Sequence, residues 1–179
     1  MSSVRLRLLT AAGAVSFIAS GIAQLVHKEA DPLSSVADYG IEATFAAGLL
    51  LTLAGIYALH QRQERSLSPV GLWAFRVAAA GQGLLGIVAL ATIARGEDAL
   101  GPLFPLGVAA WALGTIAYAV ATRKAGALPR WAAPLLAVGT IAGIALDPGG
   151  TIVIGAMWLS LAATVLNDVP ALRPAVAAR

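Results

Sequence analysis

The chain has 179 residues, of which 59% are hydrophobic and 12% are charged, and its mean hydropathy is +0.82. A soluble domain of this size could not bury so much apolar surface, so the composition excludes a soluble globular protein. The absence of cysteine excludes disulfides, cysteine-ligated metals and thiol chemistry. The pI is near 9.8, but the placement of the charges argues against nucleic acid as a partner.

Six apolar runs divide the chain, each close to the length of about 20 residues that crosses a bilayer. They predict an all-α, polytopic membrane bundle of six transmembrane helices, forming one domain over residues 1–179. The first run has no convincing A-x-A cleavage site, so we interpret it as an uncleaved span. The last two are short and must stand nearly upright or meet a thinned bilayer. The runs lie near 6–26, 38–59, 71–94, 103–122, 131–146 and 151–167.

The basic residues predict the topology. With both termini on one side, ten of the twelve Lys and Arg residues fall on that side, and only Lys28 and Arg95 fall on the other. The positive-inside rule then places both termini in the cytoplasm, and we expect the protein to lie in a plasma membrane. The opposite mouth is acidic and would attract cations. The alternative is that this acidity has no function and only reflects the exclusion of Lys and Arg from the outer loops. These acids are Glu29, Asp31, Asp38, Glu97, Asp98 and Asp147, with Glu42 just below them.

In the first span, Phe17, Ser20, Gln24 and His27 recur at helical spacing. Ser20 and Gln24 need hydrogen-bond partners in lipid, so this face is expected to point into the bundle. His27 lies at the acidic level with Asp38, where it could titrate, relay protons or bind a metal. The alternative is an ordinary interfacial histidine, and one His among scattered acids is a weak metal signal.

The second span begins with Ser35 and Asp38, which fit an S-x-x-D capping box and place the helix start near Val36. The cap is a sufficient structural reason for Asp38. Glu42 lies about one turn deeper, on the same face as Tyr39 and Phe45. An ionisable residue within a span is a functional-site hypothesis. The alternative is a glutamate near enough to the surface to stay hydrated.

The later spans carry a few polar and aromatic residues at depth. Gln82 must be paired, and linking two helices is the simplest reason for it. Phe104, Trp111 and Tyr118 are spaced by seven, so they share a face; Phe104 and Tyr118 fit the two interfaces. Trp111 and Trp158 lie deeper than tryptophan usually does, which indicates either a cavity wall or aromatic packing.

Small residues and similar segments suggest how the later helices pack. Gly139 and Gly143 form a G-x-x-x-G pair, which predicts close helix packing inside the bundle. Similar segments around 53–59 and 113–120, each followed by a basic loop, suggest a helix-hairpin repeat offset by about 60 residues.

Several motifs are missing. The sequence has no nucleotide-binding P-loop, no H-E-x-x-H, no G-x-S-x-G and no D-D-x-x-D for Mg²⁺-diphosphate. No span has two histidines for haem, and no late span has a lysine for retinal. We therefore expect no cofactor and no metal, and the acidic mouth disfavours cleavage of a diphosphate.

The runs "DYGIEATFAAGLLLTLAGIYAL" and "LPRWAAPLLAVGTIAGIALDPGGTIVIGAMWLSLA" resemble small multi-span membrane proteins of actinobacteria. Some proteins of this kind are membrane-bound terpene cyclases. The resemblance is one of pattern and implies membrane lipids and a lipophilic, prenylated or cationic small molecule as partners. It carries no catalytic motif residue by residue, and it says nothing of the oligomeric state.

Three functions stay open. The first is a membrane enzyme in which Glu42 donates a proton to a lipophilic substrate, with Asp38, His27 or Asp147 completing a relay. Cyclisation of a polyene needs such an acid and aromatic faces that stabilise carbocations. The second is a proton-coupled transporter that uses Glu42, and the third is an accessory subunit in which Glu42 is dispensable. The expected substrate-binding residues are Tyr39, Phe45, Gln24, Gln82, Phe104, Trp111 and Trp158.

Overall fold

The computed structural model describes residues 3–28, 31–98, 100–146 and 148–165, and over these ranges it contains six α-helices and no strand. The prediction of an all-α protein is therefore confirmed, and each helix falls on one of the six apolar runs. The helices are α1 (Ser3–Val26), α2 (Val36–Gln63), α3 (Pro69–Arg95), α4 (Leu103–Ala125), α5 (Ala132–Ala145) and α6 (Gly150–Thr164).

Four helices, α1 to α4, are long and apolar enough to cross a membrane. The last two are shorter, with 14 residues in α5 and 15 in α6. At 1.5 Å per residue they measure only about 21 and 22 Å, against a hydrocarbon core of about 30 Å. Large apolar side chains such as Val15, Trp73, Leu113 and Val138 are exposed on the outside of the bundle. This distribution is that of a membrane protein in contact with lipid.

Local sequence sets several helix ends. Ser35 and Asp38 form the predicted capping box, so α2 begins at Val36 as expected. The hydroxyl of Ser68 caps α3, and Pro69 occupies the first helical position, where a missing N–H costs little. Gly96 and Gly126, both with positive φ, end α3 and α4 in left-handed caps.

The six helices form a closed ring. Each helix packs against its neighbour in sequence, α6 returns to pack on α1, and α2 also touches α6 across the ring. Short loops force consecutive helices to run antiparallel. Large buried side chains fill the interior, among them Phe17, Leu59, Tyr118, Leu136, Trp158 and Leu161.

Small residues set the closest approaches between helices. A Cβ on Gly81 of α3 would overlap the backbone of Trp111 in α4, and one on Gly114 would overlap the backbone of Ala78 in α3. Gly139 and Gly143 of α5 lie against Met157 and Ile154 of α6, so the predicted close packing inside the bundle is confirmed. In the suggested hairpin repeat, α3 and α5 would be corresponding helices. Their lengths differ, because α3 has 27 residues and α5 has 14.

Alternating helices give the bundle two ends of opposite charge. The acidic end holds the α1–α2 and α3–α4 loops, with Asp31, Glu97 and Asp98 among its described acids. The basic end holds the start of α1, the α2–α3 loop and the α4–α5 loop. Its described basic residues are Arg5, Arg7, Arg62, Arg65, Arg76, Arg123, Lys124 and Arg130.

Candidate functional site

Asp38 lies at the centre of a hydrogen-bond network at the acidic end. Its Oδ2 accepts the backbone N–H groups of Ser34 (3.0 Å) and Ser35 (2.8 Å), and its own N–H donates to Ser35 Oγ at 3.1 Å. The side chain is almost completely buried. These contacts close the α1–α2 loop onto the start of α2, so the structure gives Asp38 the capping task that the sequence predicts.

His27 joins this network from the end of α1. Its Nε2 lies 2.8 Å from Asp38 Oδ1, and its side chain is 40% exposed. A carboxylate can only accept, so His27 Nε2 donates this hydrogen bond. The prediction that His27 and Asp38 share one level is confirmed. Among the described residues, no three His, Asp or Glu side chains lie close enough together to hold a metal ion.

The acidic-end cavity is an opening of about 340 Å³ next to this network. It is formed by the α1–α2 and α3–α4 loops together with α2, α3 and the first turn of α4. Its lining combines three carboxylates with an apolar wall. The lining residues are Asp31, Leu33, Glu42, Phe45, Val88, Ala89, Thr92, Asp98 and Phe104.

Hydrogen bonds between the two loops shape the mouth of this cavity. Leu33 N–H donates to the Gly96 carbonyl at 2.7 Å, and Asp98 N–H reaches Asp31 Oδ1 at 3.4 Å. Tyr39 lies beside the mouth, because a Cβ on Gly96 would come within 2.7 Å of its hydroxyl. Gly96 therefore serves both the left-handed end of α3 and the close approach of Tyr39.

Three of the predicted site residues meet in the acidic-end cavity, namely Glu42, Phe45 and Phe104. Glu42 is partly buried, one turn below the Asp38 network, as its position in the helix predicts. Phe45 is held from behind by Phe17, whose ring meets it edge-on at 6.0 Å. An acid and two aromatic rings thus share one cavity.

The other predicted substrate-binding residues lie away from the lining. Gln82 is buried between α3 and α2, where its Nε2 donates to the Leu49 carbonyl (2.6 Å) and to Thr52 Oγ1 (2.7 Å). Gln24 faces α6 instead, with Thr151 Oγ1 at 3.5 Å from its Oε1. Asp147 lies outside the described residues.

The two deep tryptophans pack among helices. Trp111 is buried where α4 crosses α3, and the missing side chain of Gly81 makes room for its backbone. Trp158 is fully buried in the centre of the ring, with its ring against Gly55 of α2. The sequence indicated either packing or a cavity wall for these residues, and neither lines the acidic-end cavity.

A buried polar layer near the basic end was not predicted. Gln63 Nε2 donates to Tyr118 Oη (2.5 Å) and to Thr122 Oγ1 (2.9 Å), and His60 stacks on Phe75 with ring centroids 4.0 Å apart. Tyr118, for which we expected an interfacial position, is 1% exposed, so its side chain packs inside the bundle and does not face lipid. The sequence signal for the burial of Tyr118 was its spacing of seven residues from Trp111, because this spacing puts the two side chains on the same helix face.

The fold and the cavity together define a helical membrane protein with a carboxylate-lined, partly aromatic cavity at its acidic end. Comparisons with protein-family models, with curated proteins and with solved structures gave no match.

Proposed function

We propose that the acidic-end cavity binds a small lipophilic molecule and that Glu42 transfers a proton to it, so that the protein is a membrane enzyme for acid-initiated chemistry. One observation carries this proposal: Glu42 shares the cavity with the Phe45 and Phe104 rings and with the apolar wall of Val88 and Ala89. Pockets for small molecules combine mostly apolar walls with a few polar groups in this way.

The cavity's chemistry suits a substrate that becomes positively charged. A protonated Glu42 would give its proton to a carbon–carbon double bond; a C–H bond forms, the π bond breaks and a carbocation results. Attack by a second double bond of the same molecule forms a ring, and loss of a proton to the Glu42 carboxylate restores the acid. The net reaction is an isomerisation, and it needs no metal and no diphosphate leaving group.

The surroundings of Glu42 support this assignment. Phe45 and Phe104 present aromatic rings that attract a cation. Asp31 and Asp98 add negative charge at the mouth, which favours entry of a cationic or polarisable group. A volume of about 340 Å³ suits a small isoprenoid or prenylated compound better than a large polyene.

The experiment is conversion of prenylated hydrocarbons by protein purified into lipid nanodiscs, comparing wild type with Glu42→Gln. We expect the substitution to lower turnover by at least about 100-fold, the usual size of a general-acid contribution. Glu97→Gln is the matched control, because Glu97 is an exposed carboxylate at the same end and is not in the lining. Equal turnover in wild type and Glu42→Gln would show that Glu42 is not the acid.

Proton-coupled transport is the second candidate, favoured by the polar side chains buried below the cavity. Thr52 and Gln82 pair near mid-depth, and Gln63, Tyr118 and Thr122 pair near the basic end. A carrier needs polar groups on the way to both faces. Transport would be favoured if the wild-type protein converts no prenylated substrate but exchanges tetraphenylphosphonium for protons across the membrane. Glu42→Gln should then lose this exchange. A dispensable Glu42 in both assays would favour an accessory subunit.

We also propose that all six helices cross a bacterial plasma membrane, with the basic end in the cytoplasm. The concentration of Arg and Lys at one end supports this orientation. The packing of α5 on α4 and of α6 on α1 supports the crossing of the two short helices. A bilayer thinned around α5 and α6 would accommodate their length.

A further inference from the structure

A second cavity, the basic-end cavity, lies under the α4–α5 loop at the opposite end of the bundle. Its volume is about 360 Å³. It lies between the last turn of α4 and the first turn of α5, and its lining contains two arginines and no acid. The lining residues are Thr122, Arg123, Gly126, Leu128, Pro129, Arg130 and Ala133.

Both arginines line this cavity, and a hydrogen bond fixes the side chain of one of them. Arg123 Nη1 donates to the backbone carbonyl of Arg130 at 3.2 Å, which ties the end of α4 to the segment before α5. A guanidinium has five N–H donors, so this contact leaves four on Arg123 for a ligand. Both side chains are solvent-exposed and therefore accessible from outside.

The floor of the basic-end cavity is buried and includes a backbone N–H group at the start of α5. Ala133 is the second residue of α5, where a backbone N–H has no acceptor within its own helix, and Trp131 provides no side-chain cap. The positive end of the α5 dipole therefore faces the cavity. The last turn of α4 forms the opposite wall, where the Gly126 N–H donates to the Thr122 carbonyl at 3.2 Å.

We infer that the basic-end cavity binds a phosphate group, held by Arg123 and Arg130 and by the amino end of α5. Guanidinium forks match phosphate oxygens in geometry and charge. The phosphate could belong to an anionic lipid or to a soluble phosphate compound, since the same donors would recognise both. Trp131, next to Arg130 in the chain and 43% exposed, has an amphipathic ring of the kind that favours the level of lipid headgroups.

The test compares the retention of phosphatidylglycerol and of phosphatidylcholine by the purified protein, measured by native mass spectrometry. The variant is Arg123→Gln with Arg130→Gln. The control, Arg65→Gln with Lys124→Gln, removes the same charge from the same end at exposed positions outside the lining. We expect the arginine variant to retain phosphatidylglycerol at least about tenfold less tightly than the control.

A calorimetric titration with inorganic phosphate, in lipid-free detergent, separates the two sources. Binding of phosphate to wild type and control, but not to the arginine variant, would support the site with a soluble ligand. Selective retention of phosphatidylglycerol without binding of inorganic phosphate would support it with a lipid ligand. The inference is overturned if the arginine variant and the control behave alike in both measurements. Neither measurement depends on Glu42, so this result is independent of the proposed enzyme.

Discussion

At the residue scale, Asp38 illustrates how one buried carboxylate can hold two elements together. One oxygen meets His27 at the end of α1, and the other receives two backbone N–H groups of the α1–α2 loop. Both oxygens therefore have donors before any substrate is considered. A role in a proton relay stays a prediction, whereas the structural role follows directly from the contacts.

We expect Asp38→Ala to lower the melting temperature of the protein in detergent micelles by roughly 5 °C, because it removes a helix cap and the contact with His27. Glu97→Ala removes an exposed carboxylate from the same end and should leave the melting temperature unchanged. An Asp38→Ala variant that melts like wild type but has lost turnover would instead identify a catalytic role. Thermal unfolding followed by circular dichroism is the measurement.

Local residue patterns could be predicted, but most contacts between helices could not. Ser35 and Asp38 are three residues apart, so their cap is visible in the sequence. Glu42 and Phe45 share a helix face, which placed them together in the cavity. Phe104 reaches the cavity from a different helix, so no local pattern links it to Glu42. Asp31 and Asp98 could be predicted only as charged loop residues, without their place in the lining. Which side chains meet across helices depends on helix rotation, and six apolar helices give little periodicity from which to predict it.

At the element scale, helix existence was predictable from hydropathy, but helix ends were set by other forces. The apolar run of the second span was expected to end near residue 59, yet α2 continues to Gln63. Backbone hydrogen bonds and the pairing of Gln63 with Tyr118 extend the helix beyond its apolar stretch. In α3, the Ser68 cap and Pro69 move the start two residues before the expected position at 71.

The α3–α4 pair offers a test of packing with a control on the same helix. Gly81→Ala places a methyl group into the backbone of Trp111, so we expect a loss of roughly 2 kcal/mol in the free energy of unfolding. Gly83→Ala is the same chemical change two residues away, where a Cβ meets nothing within 4 Å. Its effect should be neutral or stabilising, because alanine favours a helix over glycine.

Both variants can be measured by denaturant titration in mixed micelles, with helical circular dichroism as the signal. The shared gain in helix propensity cancels in the comparison, so the difference between the variants reports packing alone. Equal stabilities would mean that α3 and α4 are further apart in the membrane than their glycines indicate.

At the scale of the whole molecule, contacts between the first and last helices close the ring. Gly21 of α1 lies against Thr151 and Ile152, and Gly155 of α6 lies against the Ala14 carbonyl and Ile18. This closure surrounds the buried centre with six helices and leaves the two charged ends as the faces available to polar ligands. The acidic-end and basic-end cavities lie at these two faces, about one membrane thickness apart along α4.

The absence of native cysteine allows the orientation of these faces to be tested with single cysteines and a membrane-impermeant maleimide. We expect Glu97→Cys and Leu146→Cys, at the acidic end, to be labelled in intact cells. Ser66→Cys and Ala127→Cys, at the basic end, should be labelled only after permeabilisation, because basic loops are retained in the cytoplasm. All four positions are exposed, so accessibility should reflect the side of the membrane. Labelling of Glu97→Cys but not Leu146→Cys from outside would show that α5 and α6 fail to cross, and reversal of all four would invert the orientation.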